Sequence, residues 1–395
     1  MKQYLRNIKE YYKTKHYANY YLVIGVLILF VALYYAGALN RSTPNLLNQI
    51  GYSVILAVSL NLVVGHLGEL SLGHAGFMCV GAYLGAYVSN ALVLKTEMPL
   101  VLTLIISVLV GGAAAAVFGF IVGLPALRLR GDYLAIVTLA AGEIVRNICK
   151  NLPFFGGAQG LGSEYYSAAL KLGKKGTPAF ITTFVILLLM LFVVQNLIRS
   201  KHGRAITAIR DNEIAAKAMG VNVTYYKLFV FVISAFFAGV AGVIYAGSTS
   251  PIEYSYFSYN YSIEILVMVV LGGMGNVTGS IISAALITYI NFLLRSELSG
   301  DMAAVKTLVY ALILIVMVIY KNAPALKSVR ERFNAANLIS SIKNKVFKVK
   351  DSASDISDDR GEWDEIPTKI ITDEILSTDF ALTTYTPDKP DKEDK

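Results

Sequence analysis

The chain has 395 residues, of which 55% are hydrophobic and only 16% charged, against about 25% charged in soluble domains; this excludes a soluble globular protein. Its apolar content comes in long uncharged runs near the roughly twenty residues that a bilayer span needs, which excludes a β-barrel of short alternating strands. The net charge of +8 hides an asymmetry: residues 351–395 hold 14 acids and 5 bases, and the other 350 residues hold 30 bases and 13 acids, an excess that in a membrane chain marks cytoplasmic loops rather than nucleic-acid binding.

In chain order, residues 1–19 form a basic arm with Lys2, Arg6, Lys9, Lys13 and Lys15. The apolar run that starts at Tyr20 lacks a small-residue cleavage site and is followed by further spans, so it reads as a retained span and not a signal peptide. The predicted spans are 20–39, 46–65, 71–94, 99–122, 132–150, 178–198, 226–247, 261–272, 279–294 and 302–320. The stretch 261–272 is too short to cross at 1.5 Å per residue. "LGGMGNVTG" separates it from 279–294, and a break at membrane depth is tolerated only where it is buried in protein or lines a cavity. The two cysteines, Cys79 and Cys149, lie in apolar segments without metal-type spacing and read as packing residues.

Positive charge orients these spans. The arm, the 123–131 loop (Arg128, Arg130), the 199–225 loop (Arg199, Lys201, Arg204, Arg210, Lys217) and the segment after the last span (Lys321, Lys327, Arg330, Arg332) fall on one side with ten crossings. Eight crossings do the same if 261–294 makes no net crossing. Both termini are then cytoplasmic; Lys171, Lys174 and Lys175 in the 151–177 loop are the exception. The fold class is all-α: a polytopic integral membrane helix bundle of about 8–10 transmembrane helices with broken or re-entrant segments. Its divisions are the arm 1–19, a transmembrane domain 20–322 and a cytoplasmic tail 323–395. From about 351 the tail is rich in Asp, Ser, Thr and Pro and reads as disordered.

Polar groups at bilayer depth invite functional readings. "GHLGELSLGHAG" places His66, Glu69, Ser71 and His74 among four glycines, with Asn61 upstream. Either this helix is broken and lines a path, with Glu69 or His74 on it, or these groups bond neighbouring helices and the glycines permit close packing. The two histidines lack the i,i+4 spacing of a helical metal pair, so no metal site is predicted. Glu143 and Arg146 are three apart and suit an internal ion pair as well as a substrate contact. Glu264 reads as an interfacial carboxylate. "VVGHLGELSLG" (63–73) and "VVLGGMGNVTG" (269–279, with Gly272, Gly273 and Gly275) look alike, and paired breaks in two halves point to a translocation path.

Residues 203–222 are polar and helix-prone between apolar runs. "GRAITAIR" carries Ile206 and Ile209; Asp211-Asn212 is a helix start signal; "EIAAKAM" sets Ile214 and Ala218 on one stripe, with Ala215 and Met219 beside it, and spaces Glu213 and Lys217 as an i,i+4 pair; Gly220 suits a helix end. An amphipathic helix on the membrane and a docking element for a soluble partner both fit this pattern.

"EIAAKAMG" resembles the EAA loop of ATP-binding-cassette importer permeases, and "RSKHGRAITAIRDNEIAAKAMGVNV" resembles branched-chain amino acid permeases of the LivM type. So do "NLVVGHLGELSLGHAGFMCVGAYLGAYV", "GDYLAIVTLAAGEIVRNI", "FGGAQGL" and "ILVMVVLGGMGNVTGSIISAALI", in order over roughly residues 45–320. Ile214 stands between the glutamate and the two alanines, where the EAA pattern has none. The resemblance implies that 203–222 is a coupling loop on an ATPase subunit, with Arg204, Arg210, Asp211, Glu213, Ala215, Ala216 and Gly220 as coupling residues. It implies a multi-pass protein of the bacterial cytoplasmic membrane. The partners it implies are two ABC ATPase subunits, a second permease subunit of the LivH type, an extracytoplasmic substrate-binding protein and membrane lipid. The chain has no G-x-x-x-x-G-K-[ST] string, so ATP is expected to be hydrolysed by partner subunits, with no cofactor on this chain and no catalysis by it. Branched-chain amino acids are the implied cargo. Urea, short amides or another small polar solute on the same machinery, and an ion-coupled secondary transporter, are the competing readings.

Overall fold

The computed structural model describes residues 19–21, 23–36, 42–96, 100–129, 131–162 and 179–297, with Leu312 and Ile315 beyond. The basic arm, the 163–178 lysines, the predicted 302–320 span apart from Leu312 and Ile315, and the tail lie outside the described residues.

The regular secondary structure of the described residues is helical, apart from one isolated bridge between Leu161 and Ile252. The helices are α1 (Asn19–Tyr35), α2 (Thr43–Asn61), α3 (His74–Thr96), α4 (Leu100–Ala126), α5 (Asp132–Asn151) and α6 (Ala179–Arg199). They continue with α7 (Lys201–Asp211), α8 (Glu213–Ala218), α9 (Val223–Ser248), α10 (Tyr259–Gly272) and α11 (Val277–Glu297). Six of them, α2, α3, α4, α6, α9 and α11, are long and apolar enough to cross a bilayer. α5 forms over the predicted stretch but carries Asp132, Glu143, Arg146 and Lys150, and it is not among the six.

Burial ranks the helices. In α2, with the π-helical turn Leu62–Leu67 that prolongs it, 94% of the apolar window is buried, against 33% in α4 and α11. A helix that is apolar all round belongs inside a bundle, so α2 is the central column. α6, α9, α10 and α11 pack around it, and α3, α4 and α9 form a tight triple beside it. Backbones come close there: a Cβ on Gly81 would run into the Gly239 backbone, the small-residue packing of membrane helices.

The chain reverses at both ends of the bundle. α7 and α8 sit at one end, hereafter the loop end, where α2 and α10 finish and α9 and α11 begin. α10 has 14 residues, about 21 Å long, so it does not span by itself. It meets α11 in a hairpin turning over 273–276, where Gly273 (φ 97°) and Gly275 (φ 80°) take backbone conformations open to glycine. The predicted break is real, and it lies at the loop end.

Candidate functional site: two breaks and a polar clamp

The two look-alike segments meet. Asn61 closes the regular part of α2 and reaches across to the α10–α11 turn. Its Oδ1 accepts from the Gly275 N–H at 2.8 Å, and its Nδ2 donates to Ser280 Oγ at 3.0 Å. A Cβ on Gly65 would overlap Asn61 Oδ1 and the Gly275 nitrogen, so only glycine permits this approach. Residues 62–67 are wound as a π-helix, and the chain then breaks at Gly68 (φ 82°). A π-helical turn disturbs the i→i−4 ladder, and the Gly65 carbonyl accepts from Arg210 Nη1 at 3.0 Å.

Arg210 comes from the 203–222 region, which folds as two helices divided at Asn212. α7 starts two residues before Gly203, at Lys201, because the Ser200 hydroxyl accepts from the N–H groups of His202 and Gly203 and so caps it. Ile206 and Ile209 are buried and pin α7 to the bundle. Asn212 caps α8 by accepting from the Ala215 N–H at 2.9 Å. α8 ends in a Schellman motif: Gly220 (φ 82°) turns left-handed, the Val221 N–H bonds the Ala216 carbonyl and the Gly220 N–H bonds that of Lys217. Of α8 only Ala216 is buried. Ile214 and Met219 are 80% and 84% exposed, and Ala215 and Ala218 stand open beside them.

Lys227, in the second turn of α9, ties this region to the break. Its ammonium lies 2.6 Å from Glu69 Oε1 and 3.1 Å from Glu213 Oε2, and its side chain is 6% exposed. The predicted Glu213–Lys217 pair gives way to this arrangement: Glu213 faces α9, whereas Lys217 is exposed to solvent. Two polar ties therefore join α7–α8 to the π-helical break, Arg210 to Gly65 and Glu213–Lys227–Glu69. A cleft of about 250 Å³ opens beside Lys227 and Glu213, against Arg128 at the end of α4. Sequence reading missed Lys227, although a lysine inside the apolar run "VTYYKLFVF" is itself a signal, since buried lysines in membranes are rare and paired.

The other predicted residues fall into separate places. His74 Nε2 lies 2.8 Å from Ser59 Oγ. The Ser59 hydroxyl also lies within hydrogen-bond reach of the Leu56 carbonyl, and the His74 ring rests edge-on against Phe77; His74 joins α3 to α2. His66 Nε2 and Ser71 Oγ are buried beside the break and have no bonding partner among the described residues. Glu143 lies apart from this cluster. It pairs with Arg146 at 2.6 Å and accepts from the Tyr259 N–H at the start of α10, so it holds the opposite end of the bundle. Gly272 is squeezed against the Gly279–Ser280 backbone in the hairpin. Asp211 pairs with Arg210 at 2.9 Å, and Arg204 is exposed on α7.

With this geometry in place, comparisons with known proteins are specific. Residues 42–319 match the family described as branched-chain amino acid transport system / permease component. The chain is 32% identical over 339 residues to the high-affinity branched-chain amino acid transport system permease protein LivM of Escherichia coli strain K12, covering 79% of this chain and 76% of that protein. It is 28% identical over 271 residues to the probable branched-chain amino acid transport permease protein LivM of Methanocaldococcus jannaschii, covering 65% of this chain and 77% of that one. The ribose import permease protein RbsC of Haemophilus influenzae is 27% identical over 263 residues, covering 62% of this chain and 75% of that protein. No solved structure matches.

Proposed function

The chain belongs to the family of branched-chain amino acid transport permease components, and from that premise we propose that it carries branched-chain amino acids inward as the membrane subunit of an ATP-driven importer. The observation that carries this reading is the pairing of an open face with a clamp. α8 presents Ile214 and Met219 to the outside while its Glu213 is tied through Lys227 to Glu69 in the break. An apolar patch on a short helix suits docking into a groove on a soluble subunit. That subunit is an ATPase, one of two, and the loop end faces the cytoplasm.

The mechanism follows from the two ties. Closure of the ATPases displaces α8, and with it Arg210 and Glu213. Their partners are the Gly65 carbonyl and, through Lys227, Glu69, so the displacement reaches the π-helical turn. That turn touches the α10–α11 hairpin through Asn61, and both breaks move together. A break of this kind is a bistable element, and alternating access is its change of register. A second permease subunit completes the path, and an extracytoplasmic binding protein delivers the solute.

The test is a reconstituted importer with the double substitution Ile214→Asp, Met219→Asp. Two charges on an exposed face leave the bundle folded, so the variant should purify as a membrane subunit yet fail to retain the ATPases and lose leucine uptake. Full uptake with the ATPases still bound would sink the docking role. Uptake of ribose or urea but not leucine by the unsubstituted importer would move the cargo to another class, as the sugar permeases among its relatives illustrate.

A further inference from the structure

Cys79 and Cys149 are the chain's two cysteines, and folding brings them together. Both are buried free thiols. α5 has a buried stripe of Thr138, Gly142, Val145 and Cys149, at the three- and four-residue steps of one helix face. It lies on Gly73, Gly76, Cys79 and Tyr83, at and just before the start of α3. Contacts on either side of the cysteines fix this register. A Cβ on Gly73 would run into the Thr138 carbonyl, and one on Gly76 into the Gly142 backbone. Further on, the Tyr83 ring packs against Phe155, just beyond α5, with centroids 5.2 Å apart. Between these contacts the two thiols reach each other and hydrogen-bond. Separate packing residues, as both were expected to be, have no need to meet.

α5 also holds both broken segments. The Leu72 N–H, in the stretch between the π-helical turn and α3, donates to Thr138 Oγ1 at 3.1 Å. The Tyr259 N–H, at the start of α10, donates to Glu143 Oε1 at 2.9 Å. The other face of α5, with Ile136, Ile144 and Ile148, is exposed, so the helix is held along its buried stripe and can shift on it. The cysteines sit in the half of the bundle away from α7–α8. Tyr83, one turn on from Cys79, donates there to the Ile252 carbonyl at 3.1 Å.

We propose that Cys79 and Cys149 are a redox modification site: a hydroperoxide converts them to a disulfide that fixes α5 to α3 and arrests transport, and a dithiol releases it. Cys149 is the more accessible, at 5% exposure against 0% for Cys79. Its thiolate attacks the peroxide; the O–O bond breaks, leaving a sulfenic acid and hydroxide, which takes up the thiol proton. The Cys79 thiol then attacks that sulfur, the S–O bond breaks, the S–S bond forms and water leaves. In sum two thiols and hydrogen peroxide give one disulfide and two waters: the sulfurs lose two electrons and the peroxide gains them. A bond of about 2.05 Å replaces a non-bonded contact, so the two helices are drawn together. Through Thr138 and Glu143, that fixes the segments leading to both breaks.

The experiment treats the complete reconstituted importer with hydrogen peroxide and then with dithiothreitol. After each step the complex is denatured, free thiols are alkylated with a maleimide carrying polyethylene glycol, and the permease band is read on a gel. With two cysteines in the chain, it should carry two adducts before peroxide, none after it and two again after dithiothreitol. ATP turnover and leucine uptake should be lost and regained in step with the adducts. Importers with Cys79→Ser or Cys149→Ser alone should transport before peroxide and go on transporting after it; Cys79→Ala serves if the first of these fails to assemble. Adducts that persist in peroxide, adducts that dithiothreitol does not restore, or a disulfide that leaves turnover undiminished would each overturn the site. So would an equal loss of turnover in the single variants. ATP turnover assumes nothing about the cargo. Its reversible arrest in an importer that takes up no leucine upholds the redox site and removes the amino acid reading, whereas leucine uptake untouched by the disulfide removes the redox site alone.

Discussion

At the scale of single residues, Lys227 is the position whose loss should be felt most. One ammonium serves two carboxylates, and Glu69 is itself only 15% exposed. Removing one partner of a buried pair leaves an uncompensated charge and costs about 3–5 kcal/mol, whereas replacing both members is often close to neutral. Lys227→Met should therefore lower the unfolding midpoint of the purified permease markedly, and adding Glu69→Gln should recover most of the loss. A double-mutant cycle on unfolding in detergent measures the coupling; additive losses would show that the pair is not a unit. The glycines divide in the same physical way. Gly65→Ala collides with Asn61 and Gly275, a rigid overlap in which overpacking costs about 1–3 kcal/mol, and it should separate the breaks and abolish uptake. Gly220→Ala meets open space and suffers only from its left-handed backbone, about 1–2 kcal/mol. It should weaken uptake while leaving the bundle's thermal midpoint unchanged.

At the scale of elements, α8 is six residues long, far below what holds a helix in water, so its end signals carry its structure. Asn212→Ala removes the bond to the Ala215 N–H and about 1 kcal/mol of capping. If the ATPases bind the formed helix, that cost appears as weaker association, about fivefold, with no change in the bundle. Titration of the ATPase subunits onto wild-type and Asn212→Ala permease reads it directly, and amide exchange in α8 reports the fraying. The helix ends here were readable in the sequence because capping is local chemistry: Asn212 and Gly220 act within three residues of themselves. The start of α7 was misplaced by two residues because the helix was read from Gly203, and the cap that Ser200 supplies to the N–H groups of His202 and Gly203 was not used. The partner of Glu213 was missed for the opposite reason. The i,i+4 rule assumes a free helix, and in the bundle Lys227 lies closer to the carboxylate than Lys217.

At the scale of the whole molecule, the apolar runs gave the bundle, since span length and hydropathy are sums over many residues and tolerate local error, whereas the family was legible only in the resemblance of the ordered motifs. What stayed hidden is three-dimensional assembly. The likeness of 63–73 and 269–279 gave no hint that Asn61 would bridge them, and Tyr52, Tyr245, Tyr256 and Tyr261, which line a cavity of about 540 Å³, come from four stretches that only folding brings together. Orientation is the remaining property of the whole chain, and it follows from charge. The α7–α8 region carries Arg199, Lys201, Arg204, Arg210 and Lys217, and the opposite connection from 249 to 258 carries Glu253 and no base. By the retention of basic loops the α7–α8 end is expected to be the cytoplasmic one. The two ends are joined by α9, whose 26 residues extend about 39 Å, enough to place them on opposite sides of a bilayer. Arg204 and Ser255 are both exposed and mark those ends. In a chain freed of Cys79 and Cys149, Arg204→Cys should react with a membrane-impermeant maleimide only in inside-out vesicles, and Ser255→Cys only in right-side-out ones. Labelling of both from one side would mean that α9 does not cross, and the reverse pattern would turn the proposed ATPase face outward, where no ATP could drive it.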